Sequence, residues 1–361
     1  MGVALAAPII QRLVAVIVLC LTLLGPAQAN PMLLVDMRTG EVLANDEGGR
    51  PWHPASLTKL MTAYVAFAAI AQGRISLDTP IRISRQAWNQ APSKSGLEIG
   101  SYITMRDALY ILVVKSANDV AIAIAEAVSG STDGFVAEMN SMARVMGLTA
   151  TNYTNPHGLH HADQVTTARD LAVLTLYIWR DYPQYLDMFS TEKVQLGKAS
   201  LETNNGLLEH FQGTNGMKTG YVCASGLNIV ATVNRSGRQL LAVVLGGSSA
   251  RERNEMAAEL VLRGLSGAAK GTGQSVLELR NAAVAPMDMR PLICGKQSKE
   301  YVAERQAAYP LGLEGQPSYL TDQISGTVYS ATDLGVLVDD VPLPRPRPRT
   351  APRATTAALG N

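Results

Sequence analysis

The sequence predicts an α+β protein in which strands at both ends of the chain enclose a helical middle. Two apolar runs, Met32-Leu33-Leu34-Val35-Asp36 and Glu41-Val42-Leu43-Ala44, flank Arg38-Thr39-Gly40 and read as a hairpin near the start. Three short β-rich runs follow Gly213, and the stretch between carries helical periodicity and capping residues. Strands so separated form one sheet only if it joins the two ends of the chain.

Along the helical middle, Pro54 opens an apolar stretch through Leu60, Met61, Tyr64, Val65 and Phe67 that stops at Gly73, as a buried helix would. Thr104 with Asp107 resembles a capping box leading into Leu109 to Val114. Asp119 to Val128 reads as an alanine-rich helix, and Phe135 to Met146 as another stopped by Gly147, with Met139, Met142 and Met146 as core residues. Thr167 with Asp170 caps a further helix through Leu171, Leu174 and Ile178. Met217 to Val222, Leu227 to Asn234 and Gln239 to Leu245 are the β-rich runs, the last two joined at Arg235-Ser236-Gly237. A helix from about Arg251 to Leu265 closes the region. Beyond Gly267 the signals weaken and no second β-rich domain is evident: residues 269–341 read as a poorly defined extension. Residues 342–361 form a Pro/Arg/Ala-rich tail that cannot build a core.

The first 29 residues bear on compartment. Arg12 precedes an apolar run from Leu13 to Leu24, and Ala27-Gln28-Ala29 follows as a small-x-small cleavage site, the pattern of a secretory signal peptide. An uncleaved anchor is the alternative; Leu19 before Cys20 disfavours a lipoprotein. The expected mature chain begins near Asn30, in the periplasm or on the outer face of the cytoplasmic membrane. It keeps Cys223 and Cys294, which either pair as a disulfide or remain free thiols. With 47% hydrophobic and 17% charged residues in 361, a substantial core can form, and a net charge of +1 excludes the broad positive field of a nucleic-acid binder.

Ser56-Leu57-Thr58-Lys59 sits at the start of the Pro54 helix, where residues three apart share a face and the lysine amine can reach the serine hydroxyl. Serine is a weak nucleophile and needs an adjacent base; lysine serves when burial or a second cation brings its pKa from about 10.4 to roughly 7–8. Spacing alone decides little, because Ser190-Thr191-Glu192-Lys193 shares it and reads as a polar loop. Two further motifs decide between them. Ser116-Ala117-Asn118 lies at a bend between helices, and Lys218-Thr219-Gly220 lies in the β-rich region, with a fixed charge and a glycine that permits close backbone approach. SxxK, SxN and K-T-G in this order form the pattern of penicillin-binding proteins and serine β-lactamases.

The chain resembles the low-molecular-mass D-alanyl-D-alanine carboxypeptidases of that superfamily over roughly residues 30 to 266. The likeness extends to Asp36-Met37-Arg38-Thr39-Gly40-Glu41-Val42, Pro54-Ala55-Ser56-Leu57-Thr58-Lys59, Asn155-Pro156-His157-Gly158-Leu159 and Ala168-Arg169-Asp170-Leu171. It implies a five-stranded antiparallel sheet flanked by helices, with the cleft between the sheet edge and a helical subdomain. It implies Ser56 as nucleophile, Lys59 as base, Ser116 as proton relay and Asn118 as ligand of the substrate amide. Lys218 and Thr219 would bind the terminal carboxylate with Arg253 as a second cation, Gly220 would let the substrate approach the backbone closely, and the backbone N–H groups of Ser56 and Tyr221 would form the oxyanion hole. Peptidoglycan stem peptides are the implied substrates and β-lactams the implied inhibitors, with no metal or organic cofactor.

Two departures from the family stand out. No arginine occurs in Thr203-Asn204-Asn205, where relatives often carry one, and the tail shows no amphipathic membrane helix, so membrane association stays open. His157, His160 and His161 could suggest zinc, but the family loop accounts for this segment. Rival readings are a D,D-endopeptidase, a catalytically silent wall-binding protein, and a serine β-lactamase. The last would need a deacylating glutamate after the SxN motif, whereas Glu41 to Asn45 lies before Ser56.

Overall fold

The computed structural model describes residues 30–336; the signal-peptide reading and the Pro/Arg-rich tail fall outside them. In chain order the strands are β1 (Met32–Asp36), β2 (Val42–Asp46), β3 (Pro80–Arg82), β4 (Tyr102–Thr104), β5 (Thr191–Leu196), β6 (Ala199–Glu202), β7 (Thr214–Val222), β8 (Gly226–Arg235), β9 (Arg238–Gly247) and β10 (Thr327–Ala331). Five of them make an antiparallel sheet ordered β2-β1-β9-β8-β7. Its third member, β9, pairs with β1, from Met32 opposite Val244 to Asp36 opposite Leu240, so the sheet joins the chain's two ends as expected.

Both faces of the sheet are covered. Leu241, Val243 and Leu245 of β9 point into a core shared with the helical middle, while Leu240, Ala242 and Val244 face a second core under the helix Ala250–Leu265. Successive side chains alternate between faces, so a strand buried on both reads as an unbroken apolar run. The helical subdomain is built from Lys59–Ala71, Met105–Val114, Asn118–Ser129, Thr132–Val145 and Ala168–Asp181. Thr104 and Thr167 accept from the N–H groups of Asp107 and Asp170, the caps that the sequence announced.

Two expectations need correcting. The Pro54 helix does not begin at once: Ala55–Thr58 form a 3-10 turn and the α-helix starts at Lys59. Ala55 sits at φ +49°, outside the right-handed region, so a regular first α-turn cannot form there. Nor is the Ser190–Lys193 stretch a polar loop. Ser190 ends a short helix and Thr191 begins β5, which buries Thr191, Val194 and Leu196.

Residues 269–336 pack against the sheet and the helical subdomain. Val276 and Met289 are buried in the main core, Arg305 pairs with buried Glu252, and β10 adds in parallel to β5. Cys223 and Cys294 form a disulfide with Cα atoms 5.6 Å apart, tying the end of β7 to this extension.

Candidate active site

Ser56 stands on the 3-10 turn, and three elements hold that turn. The Asn228 amide on β8 donates to the carbonyls of His53 (3.0 Å) and Pro54 (3.3 Å) and accepts from Gly246 N–H. Gly220 on β7 comes so near that a β-carbon there would lie 2.9 Å from the Pro54 carbonyl oxygen and 3.0 Å from the Ser56 nitrogen. From the other side, the loop at Gly158 (φ +88°) packs against the Ala55 carbonyl. The serine is therefore presented by backbone contacts rather than by its own side chain.

One turn on, Lys59 is buried and its Nζ lies 3.0 Å from Ser56 Oγ, 2.8 Å from Asn118 Oδ1 and 2.7 Å from the His157 carbonyl oxygen. Burial, then the charge of Lys218, pushes its pKa well below the usual lysine range, while Asp119 opposes them. A neutral amine has two N–H donors and one lone pair. In that form the two fixed oxygens of Asn118 and His157 would take the donors and leave the lone pair to accept from the Ser56 hydroxyl. The orientation of the Asn118 amide is set in turn, because its Nδ2 donates to the Ala91 carbonyl (3.2 Å).

Ser116 occupies the bend before the helix Asn118–Ser129 at φ +61°, and its buried hydroxyl has no hydrogen-bond partner among the described residues. Such a hydroxyl is costly unless something else completes it. Asp119 is fully buried and accepts from Ser95 N–H, Ser95 Oγ and Val120 N–H, which fixes the segment above the bend.

The opposite wall is β7, the sheet's edge strand. Lys218 and Thr219 are buried there, with Lys218 Nζ donating to the Thr219 carbonyl (3.0 Å). Burial, then the neighbouring Arg253, pushes Lys218 down to about 7, and burial pushes Arg253 down to about 10. Arg253 donates to Asn254 Oδ1 and, at 3.0 Å, to the carbonyl of Asn204. The segment lacking the family's arginine thus supplies backbone support to Arg253. Among the described residues neither cation makes an ion pair with a carboxylate, so the pocket is one that an anion would complete.

The structure brings Ser56, Lys59 and Asn118 into hydrogen-bond contact, with Ser116 two residues before Asn118; Lys218, Thr219 and Gly220 lie beside them on β7, Arg253 lies next to Lys218, and the Tyr221 backbone is next along the same edge. Ser190 stands apart from this group: its hydroxyl donates to the Asp187 carbonyl and Lys193 pairs with Glu202. His157 is neutral, lowered to about 3 by burial and then by Lys59, with Nδ1 accepting from Leu159 N–H. Sequence reasoning missed the His157 carbonyl and the Asn228 amide; the glycine in Asn155-Pro156-His157-Gly158-Leu159 was the one available signal of a close approach.

A family model described as D-alanyl-D-alanine carboxypeptidase, peptidase family S11, matches residues 25–249. The chain belongs to this family. Among the relatives of this S11 peptidase, the D-alanyl-D-alanine carboxypeptidase DacD of Salmonella typhimurium is 35% identical over 240 residues, 64% of this chain and 62% of that one. DacF of Bacillus subtilis is 28% identical over 330 residues, 86% of this chain and 81% of that protein. The alignments with DacD of Salmonella typhimurium and DacA of Haemophilus influenzae span 62% and 57% of those proteins. Penicillin-binding protein 5 of Haemophilus influenzae superposes with a TM-score of 0.63 at 32% identity, over 67% of this chain and 73% of that one. Penicillin-binding protein D2 of Listeria monocytogenes, solved with cefotaxime bound, gives 0.60 at 28% identity over 66% and 97%. The S11 peptidase thus has the penicillin-binding protein fold, with the five-stranded antiparallel sheet that the resemblance implied.

Proposed function

We propose that this S11 peptidase is an exported serine-type D-Ala-D-Ala carboxypeptidase. It releases the terminal D-alanine from peptidoglycan pentapeptides through a Ser56 acyl-enzyme and is inhibited by β-lactams. One observation carries the reading: a buried Lys59 amine, its pKa pushed well down by burial, 3.0 Å from the Ser56 hydroxyl and opposite Lys218 and Arg253, which have no carboxylate partner among the described residues.

The substrate's terminal carboxylate enters the Lys218–Arg253 pocket beside Thr219, which confines cleavage to the chain end. Ser56 Oγ attacks the carbonyl between the two D-alanines while Lys59 takes the hydroxyl proton. The oxyanion forms against the Ser56 and Tyr221 N–H groups, one such donor being worth roughly 3–4 kcal/mol. The C–N bond then breaks, and the departing amine takes the proton from Lys59 through the unpartnered Ser116 hydroxyl. Water, deprotonated by the same lysine, hydrolyses the ester and frees Ser56. A β-lactam carbonyl follows the same attack and opens its ring onto Ser56.

The test is incubation with a pentapeptide ending in D-Ala-D-Ala and with a cross-linked dimer, followed by mass analysis. Free D-alanine from the pentapeptide, with an intact dimer, is expected; cleavage of the dimer alone would instead make it an endopeptidase. A fluorescent penicillin should label the protein but not Ser56→Ala, and rapid turnover of the penicillin would point to a β-lactamase.

A further inference from the structure

Arg253 stands beyond the region matched by the family model, which ends at residue 249, on the helix Ala250–Leu265. The turn that leads from β9 into this helix fixes where its guanidinium enters the cleft. Gly247 ends β9 so near to Arg253 that a β-carbon on the glycine would lie 3.0 Å from the arginine's own. Ser249 caps the helix by accepting from the Glu252 N–H at 3.2 Å, and Glu252 Oε2 accepts in return from the Ser248 N–H at 2.7 Å.

The Glu252 side chain is wholly buried, and its other oxygen is taken by the extension. Arg305, on the helix Ser298–Ala308, brings Nε to 2.7 Å and Nη2 to 2.6 Å of Oε1. No other cation pairs with Glu252 among the described residues. A carboxylate withdrawn from water in this way keeps its place only while it is paired.

The same side of the helix is held at three more points. Arg251 Nη1 donates to the carbonyls of Tyr309 and Leu311, and buried Glu255 accepts from the Ser318 hydroxyl and the Tyr319 N–H. Glu259 accepts from the Tyr309 hydroxyl at 2.8 Å. Residues three and four apart share a helix face, so Glu252, Glu255 and Glu259 turn together toward the extension. Arg253 leaves on another side, toward Lys218 and the Asn204 carbonyl.

We propose that Arg305 is a positioning residue: through buried Glu252 it fixes the turn into the helix, and so places the Arg253 charge where a substrate carboxylate is received. This role rests on Lys218 and Arg253 receiving that carboxylate, as the proposed function has it.

The test compares the second-order rates at which benzylpenicillin and its methyl ester acylate the full chain, read as adduct by mass analysis. The two compounds differ in one carboxylate charge, and their ratio within one protein cancels any loss of folded enzyme. Benzylpenicillin should react about 100-fold faster with the unaltered protein, within the range that a buried charge pair contributes. Arg305→Gln should lower that ratio about tenfold, since a cation displaced by a fraction of an ångström keeps part of its hold. Arg305→Lys, which keeps the charge without the fork, should restore part of the ratio. Glu252→Gln should lower it likewise, and adding Arg305→Gln to that variant should produce no further fall. A ratio unchanged in Arg305→Gln, or a second full fall in the double variant, would overturn the proposal. An ester that acylates the unaltered protein as fast as the acid would instead sink the pocket's own role, and the positioning with it. A protein that forms no adduct with either compound would remove the role of Ser56 as well.

Discussion

Gly158 lies so close to Ala55 that a β-carbon on it would stand 1.9 Å from the Ala55 carbonyl oxygen. Its φ of +88° also lies where L side chains are strained. The Asn155–Leu159 loop therefore sets how far out the Ser56 turn sits, and the same loop offers the His157 carbonyl to Lys59. Gly158→Ala should push these two backbones apart and slow penicillin acylation by roughly 100-fold, the low end of what a displaced general base forfeits. Stopped-flow acylation and a thermal melt measure the two effects, and an unchanged acylation rate would show that the contact does not position Ser56.

The two lysines give the pH profile its shape. If Lys59 is the base of the proposed mechanism, activity needs it neutral, and kcat/KM should rise as pH passes through its lowered pKa. If Lys218 binds the terminal carboxylate as proposed, it must be charged, and kcat/KM should fall as pH passes through about 7 in the free enzyme. Arg253 is part of what depresses Lys218. Arg253→Gln should move the alkaline limb to higher pH while raising KM for substrates with a free terminal carboxylate. A limb that stays in place, or moves down, would assign it to another group.

Asn118→Asp separates charge from shape. The substitution keeps the side chain's size but places a carboxylate 2.8 Å from Lys59 Nζ, where it favours the ammonium. Acylation near neutral pH should fall roughly 100-fold or more. Relative to the unaltered protein at the same pH, it should recover in part as pH rises and the lysine gives up its proton; a deficit that does not change with pH would mean that Asn118 acts by geometry alone.

Reducing the Cys223–Cys294 bond, which spans 71 residues, should lower the unfolding free energy by about 4 kcal/mol on the chain-entropy account. Urea midpoints with and without reductant measure it, and coincident midpoints would place the bond's contribution in the native contacts of residues 269–336.

The hairpin, the last three strands and the caps at Thr104 and Thr167 were legible because each depends on a side-chain pattern within one stretch of chain. The candidate site was legible for the same reason: Ser56, Lys59, Asn118 and Lys218, which lie together in the structure, come from three short motifs. What stayed hidden is chemistry that any residue can supply. The third partner of Lys59 is a backbone carbonyl, which has no signature in its own side chain. Asn228 looks like one polar residue in an apolar strand until His53 and Pro54 are seen above it. The extension was unreadable because its few apolar contacts, Val276 and Met289 among them, complete a core that other segments define. Strand β5 was misread because its buried positions, Thr191, Val194 and Leu196, break strict alternation.

The central place of β9 has a consequence for how the molecule comes into being. β1 has β2 on one flank and β9 on the other, although some two hundred residues separate β1 from β9 along the chain. Until Arg238–Gly247 arrives, the opening hairpin is a two-stranded ribbon with the β1 flank unpaired, too small to hold its shape in water. Assembly must wait for the far end, and contacts so distant in sequence close slowly. A chain cut short before β9 would thus leave its first strands exposed to whatever else could pair with them.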